Sequence, residues 1–190
     1  MKEKLISIEE IQTKVPKLRG GFGKMIIKLA MSLTGLNKVN KIYDASKHLE
    51  GPEFCHHLLQ TAGINIVVEN LEVIKQFEGQ PFITVSNHAY GHIDGIAAID
   101  ALATQRSDYK MMVNFILGMI DTMAMNFIVV NPYESGKLAN KSSFEGVKQS
   151  IEHLKNGHAL GFFPAGAVSK TKVRGGKMEV EDREWQSSVI

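Results

Sequence analysis

Ser86-Asn87-His88-Ala89-Tyr90-Gly91-His92-Ile93-Asp94-Gly95 holds the residues best suited to chemistry, and it directly follows the apolar run Pro81-Phe82-Ile83-Thr84-Val85. A histidine just past the end of a buried strand can take a proton as a general base. A carboxylate in the same loop can receive the imidazole N–H, fix the tautomer and favour the protonated ring. His88 and Asp94 flank a segment containing Gly91, so a loop that folds back would bring them together. The sequence has no Gly-x-Ser-x-Gly elbow, which points to activation of a substrate hydroxyl or amine instead of an enzyme nucleophile. His88, His92 and Asp94 also form a cluster of metal-ligand types. The strand-end loop around Gly91 and the lack of a third histidine at metal-site spacing argue against a metal there.

A second apolar run, Ala159-Leu160-Gly161-Phe162-Phe163, ends in Pro164-Ala165-Gly166-Ala167-Val168-Ser169. Backbone N–H groups around Gly166 can hold an anionic oxygen. Lys170, Lys172 and Arg174 follow, either facing an anionic head group or cofactor phosphate or forming a solvated basic loop. Glu134-Ser135-Gly136-Lys137 lacks the upstream glycine of a phosphate-binding loop and is set aside. His48, His56, His57, His153 and His158 fall in or at the ends of predicted helices and read as packing or surface residues.

The elements that must position these loops alternate in type. Ser7-Ile8-Glu9-Glu10 is a capping-box pattern for an opening helix. Helices are predicted over Asn37 to Leu49, from Pro52 to Ala62, over Asp94 to Ala103, near Leu117 to Met125, and over Ser142 to Lys155. Strands are predicted at Ile64 to Val68, Phe82 to Val85, Lys110 to Val113, Phe127 to Val130 (stopping at Asn131-Pro132) and Ala159 to Phe163. This order predicts an α/β fold, a mostly parallel central sheet flanked by helices, with an N-terminal helical subregion over 1–62 and the α/β core over 63–190.

A length of 190 residues and 44% hydrophobic content suit one globular domain with a sizeable core. Cys55 is the only cysteine, which excludes an intrachain disulfide and a multi-cysteine metal site. Residues 1–20 lack the apolar core of a signal peptide, and no run approaches the roughly 18 apolar residues of a spanning helix, so a cytoplasmic location is the expectation. From Ile11 to Tyr43 no residue is acidic, while Lys14, Lys17, Arg19, Lys24, Lys28, Lys38 and Lys41 are basic. Phe22, Met25, Ile26, Leu29 and Leu33 recur there at helical spacing. Such a segment either packs on the core with a solvated basic edge or lies in the interface of an anionic membrane. No aromatic residues interleave with the cations in the manner of nucleic-acid binding, so no nucleic-acid partner is expected.

Together these residues resemble the glycerolipid acyltransferase family, typified by lysophosphatidic-acid acyltransferases. Asn87, His88 and Asp94 match its Asn-His-x4-Asp motif, and Phe163, Pro164, Gly166 and Ser169 match its Phe-Pro-Glu-Gly-x-x-Ser motif. The resemblance covers roughly residues 60–190. It implies that His88 is the general base on an acceptor hydroxyl, oriented by Asp94, and that the acyl chain comes from the thioester of acyl-CoA or an acyl-carrier protein, with no other cofactor. It also implies that Asn87, Gly91, Phe163, Pro164, Gly166, Ser169, Lys170 and Arg174 serve substrate binding. A peripheral place on the inner face of the cell membrane follows, where a lyso-lipid acceptor can enter.

Three departures sharpen the resemblance. Five residues, not four, separate His88 from Asp94. Ala165 stands at the motif glutamate, and Ala167-Val168 supplies no arginine. The intermediate motif, which ends in arginine in the family, is matched only by Phe127-Ile128-Val129-Val130-Asn131. Those charged positions are associated with an acceptor phosphate, so the sequence looks like the hemolysin-like branch of ornithine- or glycine-lipid O-acyltransferases, whose acceptor is a lyso-aminolipid. A 1-acylglycerol-3-phosphate acceptor, or a non-catalytic lipid-surface binding role, is the alternative. Family members usually continue with a further strand carrying a Val-Pro motif, whereas this sequence ends at Val189-Ile190 after Asp182-Arg183-Glu184-Trp185, which suggests a C-terminally truncated fragment.

Overall fold

The computed structural model of the chain describes residues 3–114, 117–130 and 139–186. Four helices come first: α1 (Ile8–Lys14), α2 (Gly21–Leu33), α3 (Leu36–Ser46) and α4 (Gly51–Ala62). The Ser7 hydroxyl accepts the Glu10 N–H while the Glu10 carboxylate accepts the Ser7 N–H, so α1 begins on the expected capping box. Pro52 sits in the first turn of α4, where its missing N–H costs nothing.

The sheet is built from β1 (Phe82–Val85), β2 (Lys110–Asn114), β3 (Phe127–Val130) and β4 (Ala159–Phe162). Its order is β1-β4-β2-β3, and every neighbouring pair is parallel. Helix α5 (His92–Ala103) carries β1 across to β2, and α6 (Ala139–Lys155) carries β3 back to β4. Right-handed crossovers running in opposite directions put these two helices on opposite faces of the sheet. This is the α/β architecture expected from the alternation of apolar runs.

The main core lies on the α5 side, where Ile99, Tyr109, Met111, Val113 and Ala159 meet Tyr43 of α3 and Phe54 and Cys55 of α4. The N-terminal helical subregion therefore shares the core of the α/β part through α3 and α4. Burial pushes the Cys55 thiol up to about 12, which makes it an inert packing group. Helix α2 is different. Gly23, Ile27 and Met31 face inward, while Phe22, Met25, Ile26, Leu29 and Leu33 are exposed, Phe22 at 73% and Leu33 at 78%. The stripe that the sequence offered either to the core or to a membrane is not in the core.

Three expectations are corrected. Ile64 to Val68 is not a strand: among the described residues it pairs with none, and the open edge of β1, which pairs with β4, is left uncovered by it. The Met-rich stretch is not an α-helix but two short 3₁₀ segments, Leu117–Met119 and Asp121–Asn126, separated by Ile120 in an extended conformation. Tertiary contacts decide it, since Met123 and Asn126 are buried and the Asn126 amide donates to the Tyr109 carbonyl at 3.0 Å. The residues after Ser169 do not form a basic loop but an antiparallel hairpin, β5 (Lys170–Arg174) and β6 (Lys177–Glu181). Gly175 and Gly176 make its turn, both with positive φ, the geometry that a two-residue hairpin loop demands. Asn131-Pro132, Glu134 to Lys137 and Val189-Ile190 lie outside the described residues.

Candidate active site

Strands β1 and β4 are parallel neighbours whose last residues, Val85 and Phe162, stand opposite each other. The loops bearing His88 and Phe163 thus leave the sheet side by side at its C-terminal edge, the usual location of ligand sites in α/β sheets. The chain turns at Gly91 (φ 66°, ψ −127°), a conformation strained for any residue with a Cβ, and α5 starts at His92. That turn brings Asp94 back under the histidine. His88 Nδ1 donates to Asp94 Oδ2 at 3.0 Å, and the Tyr90 N–H donates to the same oxygen at 2.9 Å. The longer His-to-Asp spacing is accommodated by this turn.

Phe163 fixes the ring from its face. The two rings stack with centroids 3.9 Å apart and planes 16° from parallel. Both side chains of the His88–Asp94 pair are 18% exposed, so the pair is sheltered yet reachable. With Nδ1 committed to Asp94, His88 carries its proton there and leaves the Nε2 lone pair to act as base. Among the described residues nothing hydrogen-bonds Nε2.

The second loop is anchored to the first. The Ser169 N–H donates to the His88 carbonyl at 2.7 Å. Pro164 is fully buried, and the Gly166 N–H closes a turn on the Phe163 carbonyl at 2.9 Å. That N–H is therefore already used, and among the described residues no acceptor takes the N–H groups of Ala165, Ala167 and Val168 in this loop. Asn87 does not point into open space. Its amide donates to Asp182 Oδ2, while the Ser169 hydroxyl donates to Asp182 Oδ1 at 2.7 Å.

Asp182 belongs to a strap, residues 182–186, that crosses the Pro164-to-Ser169 loop. Arg183 Nε donates to the Val168 carbonyl at 2.7 Å, and the Gln186 N–H donates to the Pro164 carbonyl at 3.1 Å. The Gln186 amide lies so close over Gly166 that a Cβ there would sit 2.6 Å from its nitrogen. The sequence reading missed the strap, although a signal existed. A hairpin centred on Gly175-Gly176 pairs Lys170 with Glu181, and one step further back Ser169 stands opposite Asp182.

The structure brings Asn87, His88, Gly91, Asp94, Phe163, Pro164, Gly166 and Ser169 together in these two adjoining loops. Lys170 stands at the root of the hairpin. Arg174 sits at its tip, 3.9 Å from Glu179, and Lys172 pairs with Glu181. Strand alternation places these three cations on the face opposite to Ser169 and Asp182. His92 is exposed on α5, and among the described residues no group of three His, Cys, Asp or Glu side chains could hold a metal ion.

A histidine oriented by a carboxylate, on adjoining strand ends of a parallel sheet, is an arrangement chemically able to take a proton. The family it serves is identified by the sequence as a whole: the model of the acyltransferase family matches residues 11–190, and the chain belongs to that family, whose enzymes transfer acyl groups. No curated protein matches the sequence.

Proposed function

We propose that this acyltransferase moves a fatty acyl chain from a thioester, of acyl-CoA or acyl-carrier protein, to the hydroxyl of a lyso-lipid at a membrane surface. The observation that carries the reading is the His88–Asp94 pair, 3.0 Å apart, held flat on Phe163 with no described residue bonded to Nε2. In this mechanism Nε2 takes the acceptor hydroxyl proton as the oxygen attacks the thioester carbonyl carbon. Asp94 stabilises the resulting imidazolium. The C–S bond breaks, the new C–O bond remains, and His88 returns the proton to the departing thiolate. In this reading the unused N–H groups of the Pro164-to-Ser169 loop, those of Ala165, Ala167 and Val168, supply donors for the intermediate's oxyanion.

The acceptor proposed is a lyso-aminolipid of the ornithine or glycine type. Ala165, Ala167 and Val168 provide no cation for a phosphate monoester, and the Asp182 carboxylate beside Asn87 adds negative charge where such an acceptor would need positive. Lys170, at the hairpin root, would meet a phosphate of the donor only where the donor passes the hairpin face opposite Ser169 and Asp182. Arg174, at the tip, serves only a donor long enough to reach along the hairpin.

Exposure of the Phe22, Met25, Ile26, Leu29 and Leu33 stripe beside Lys24 and Lys28 supports peripheral membrane binding through α2. No helix among the described residues is long and apolar enough to cross a membrane. Leu29→Glu and Leu33→Glu should each weaken co-sedimentation with anionic vesicles about tenfold without changing helical content. Equal binding by these variants would remove α2 from the interface.

The deciding assay offers labelled acyl-CoA or acyl-carrier protein together with lyso-ornithine lipid, lyso-glycine lipid or lysophosphatidic acid in liposomes. Transfer to an aminolipid is the expected result. Transfer to lysophosphatidic acid alone would overturn the head-group assignment. No transfer to any acceptor from either donor would overturn the lyso-lipid acyltransferase reading.

A further inference from the structure

Asp182 moves no proton and forms no bond in the reaction as described, yet it is the point at which three segments far apart in sequence meet. Asn87 precedes the base, Ser169 ends the second loop, and Asp182 follows the hairpin. A carboxylate only accepts hydrogen bonds, and here each oxygen faces a different donor, the Asn87 amide on one and the Ser169 hydroxyl on the other. Ser169 also binds the His88 carbonyl through its own N–H, so a closed circuit runs from the His88 loop through Ser169 to Asp182 and back through Asn87. The strap residues after Asp182 press the same loop from outside at Val168 and Pro164.

We propose that Asp182 is a positioning residue that locks the His88 loop to the Phe163-to-Ser169 loop, so that the ring of His88 and the face of Phe163 stay in register. This rests on the general-base reading of His88. Asn87 is exposed, and among the described residues its side chain bonds Asp182 alone. Without the carboxylate, Asn87 and the Ser169 hydroxyl lose their shared acceptor together, and the loop pair is left with the Ser169 N–H bond and ring stacking. Sub-ångström drift of a base then costs rate more than binding.

Two measurements on the full chain test this. In the liposome transfer assay, Asp182→Ala should lower kcat about ten- to hundredfold with the donor KM nearly unchanged. In the Asn87→Ala/Ser169→Ala background the same change should cost nothing more. A loss of undiminished size in that background would overturn the proposal, because Asp182 would then act by some other route, such as its charge on the acceptor. Hydrogen exchange reads the lock without activity and across the gap. Asn87→Ala, made in one loop, should speed exchange of the Ser169 amide in the other on the order of tenfold, as should Asp182→Ala. Exchange at Ser169 that ignores Asn87→Ala would overturn the proposal even if Asp182→Ala fails to fold. An inactive wild type with coupled exchange would refute the transfer reading and leave the lock standing.

Discussion

The sheet carries a histidine–aspartate pair at each end, and both have the same length. At the C-terminal edge His88 Nδ1 lies 3.0 Å from Asp94 Oδ2; at the N-terminal edge His158 Nδ1 lies 3.0 Å from Asp108 Oδ2. Their surroundings separate them. Asp108 is held bidentately by Arg106, with Nε at 2.9 Å and Nη2 at 2.8 Å, which drives its carboxyl down to about 2. The same guanidinium also donates to the carbonyls of Phe77, Gln80 and Gly157 and lies over the Phe82 ring. Asp94 has no such cation; its described partners are one imidazole and one backbone N–H. A carboxylate already neutralised by a guanidinium has little left for an imidazolium, so the Asp108–His158 pair is a rivet. Asp94, with no guanidinium on it, is left to the histidine that it orients, so that pair is the one suited to the proposed catalysis. Distance alone does not tell a base from a rivet.

The comparison would break most visibly at the histidines. His88→Ala should reduce acyl transfer about a thousandfold or more, while His158→Ala should leave the rate per folded molecule within about twofold. Similar losses in both would erase the distinction. The aspartates sharpen it. Asp94→Asn should cost about a hundredfold in kcat, since an amide can hold the imidazole in the wrong tautomer, with unfolding in urea little changed. Asp108→Asn should do the reverse, with transfer per folded molecule retained and about 2 kcal/mol of stability lost at neutral pH.

The smallest effect is the pH dependence of that loss. Because the folded-state value of Asp108 is depressed, its contribution is complete above the ordinary aspartate range near 4 and is lost as the pH falls through about 2. The gap between wild type and Asp108→Asn in urea midpoint should therefore close between pH 4 and pH 2. A gap that persists at pH 2 would mean that Arg106 does not act through the Asp108 charge.

Much of this was legible in the chain. Phe82 to Val85 and Phe127 to Val130 were delimited correctly because each is a short apolar run stopped by polar or turn residues. His88 and Asp94 were legible because strand-end histidine, glycine and carboxylate are few and close together. Ile64 to Val68 misled because alternation shows the capacity to form a strand, not the presence of a partner. The Met-rich stretch misled because apolar content without a clean period fits a helix or any buried segment. For Lys170, Lys172 and Arg174 the sequence left a ligand-facing cluster and a solvated loop both open, and the Gly175-Gly176 turn sets two of them against Glu179 and Glu181.

By itself the sequence determined the local order of helices and strands, the two loops that carry the chemistry and the exposed-or-buried alternatives for α2. Those depend on residues a few positions apart, within reach of turn geometry and hydrophobic period. Only the tertiary structure decided that β1 and β4 are neighbours, that Phe163 stacks on His88, that Asp182 meets Asn87, and that the α2 stripe is left outside the core. Each of these joins segments with no common local signal. Strand order is set by which faces can be buried together, and that is a property of the whole chain packed at once.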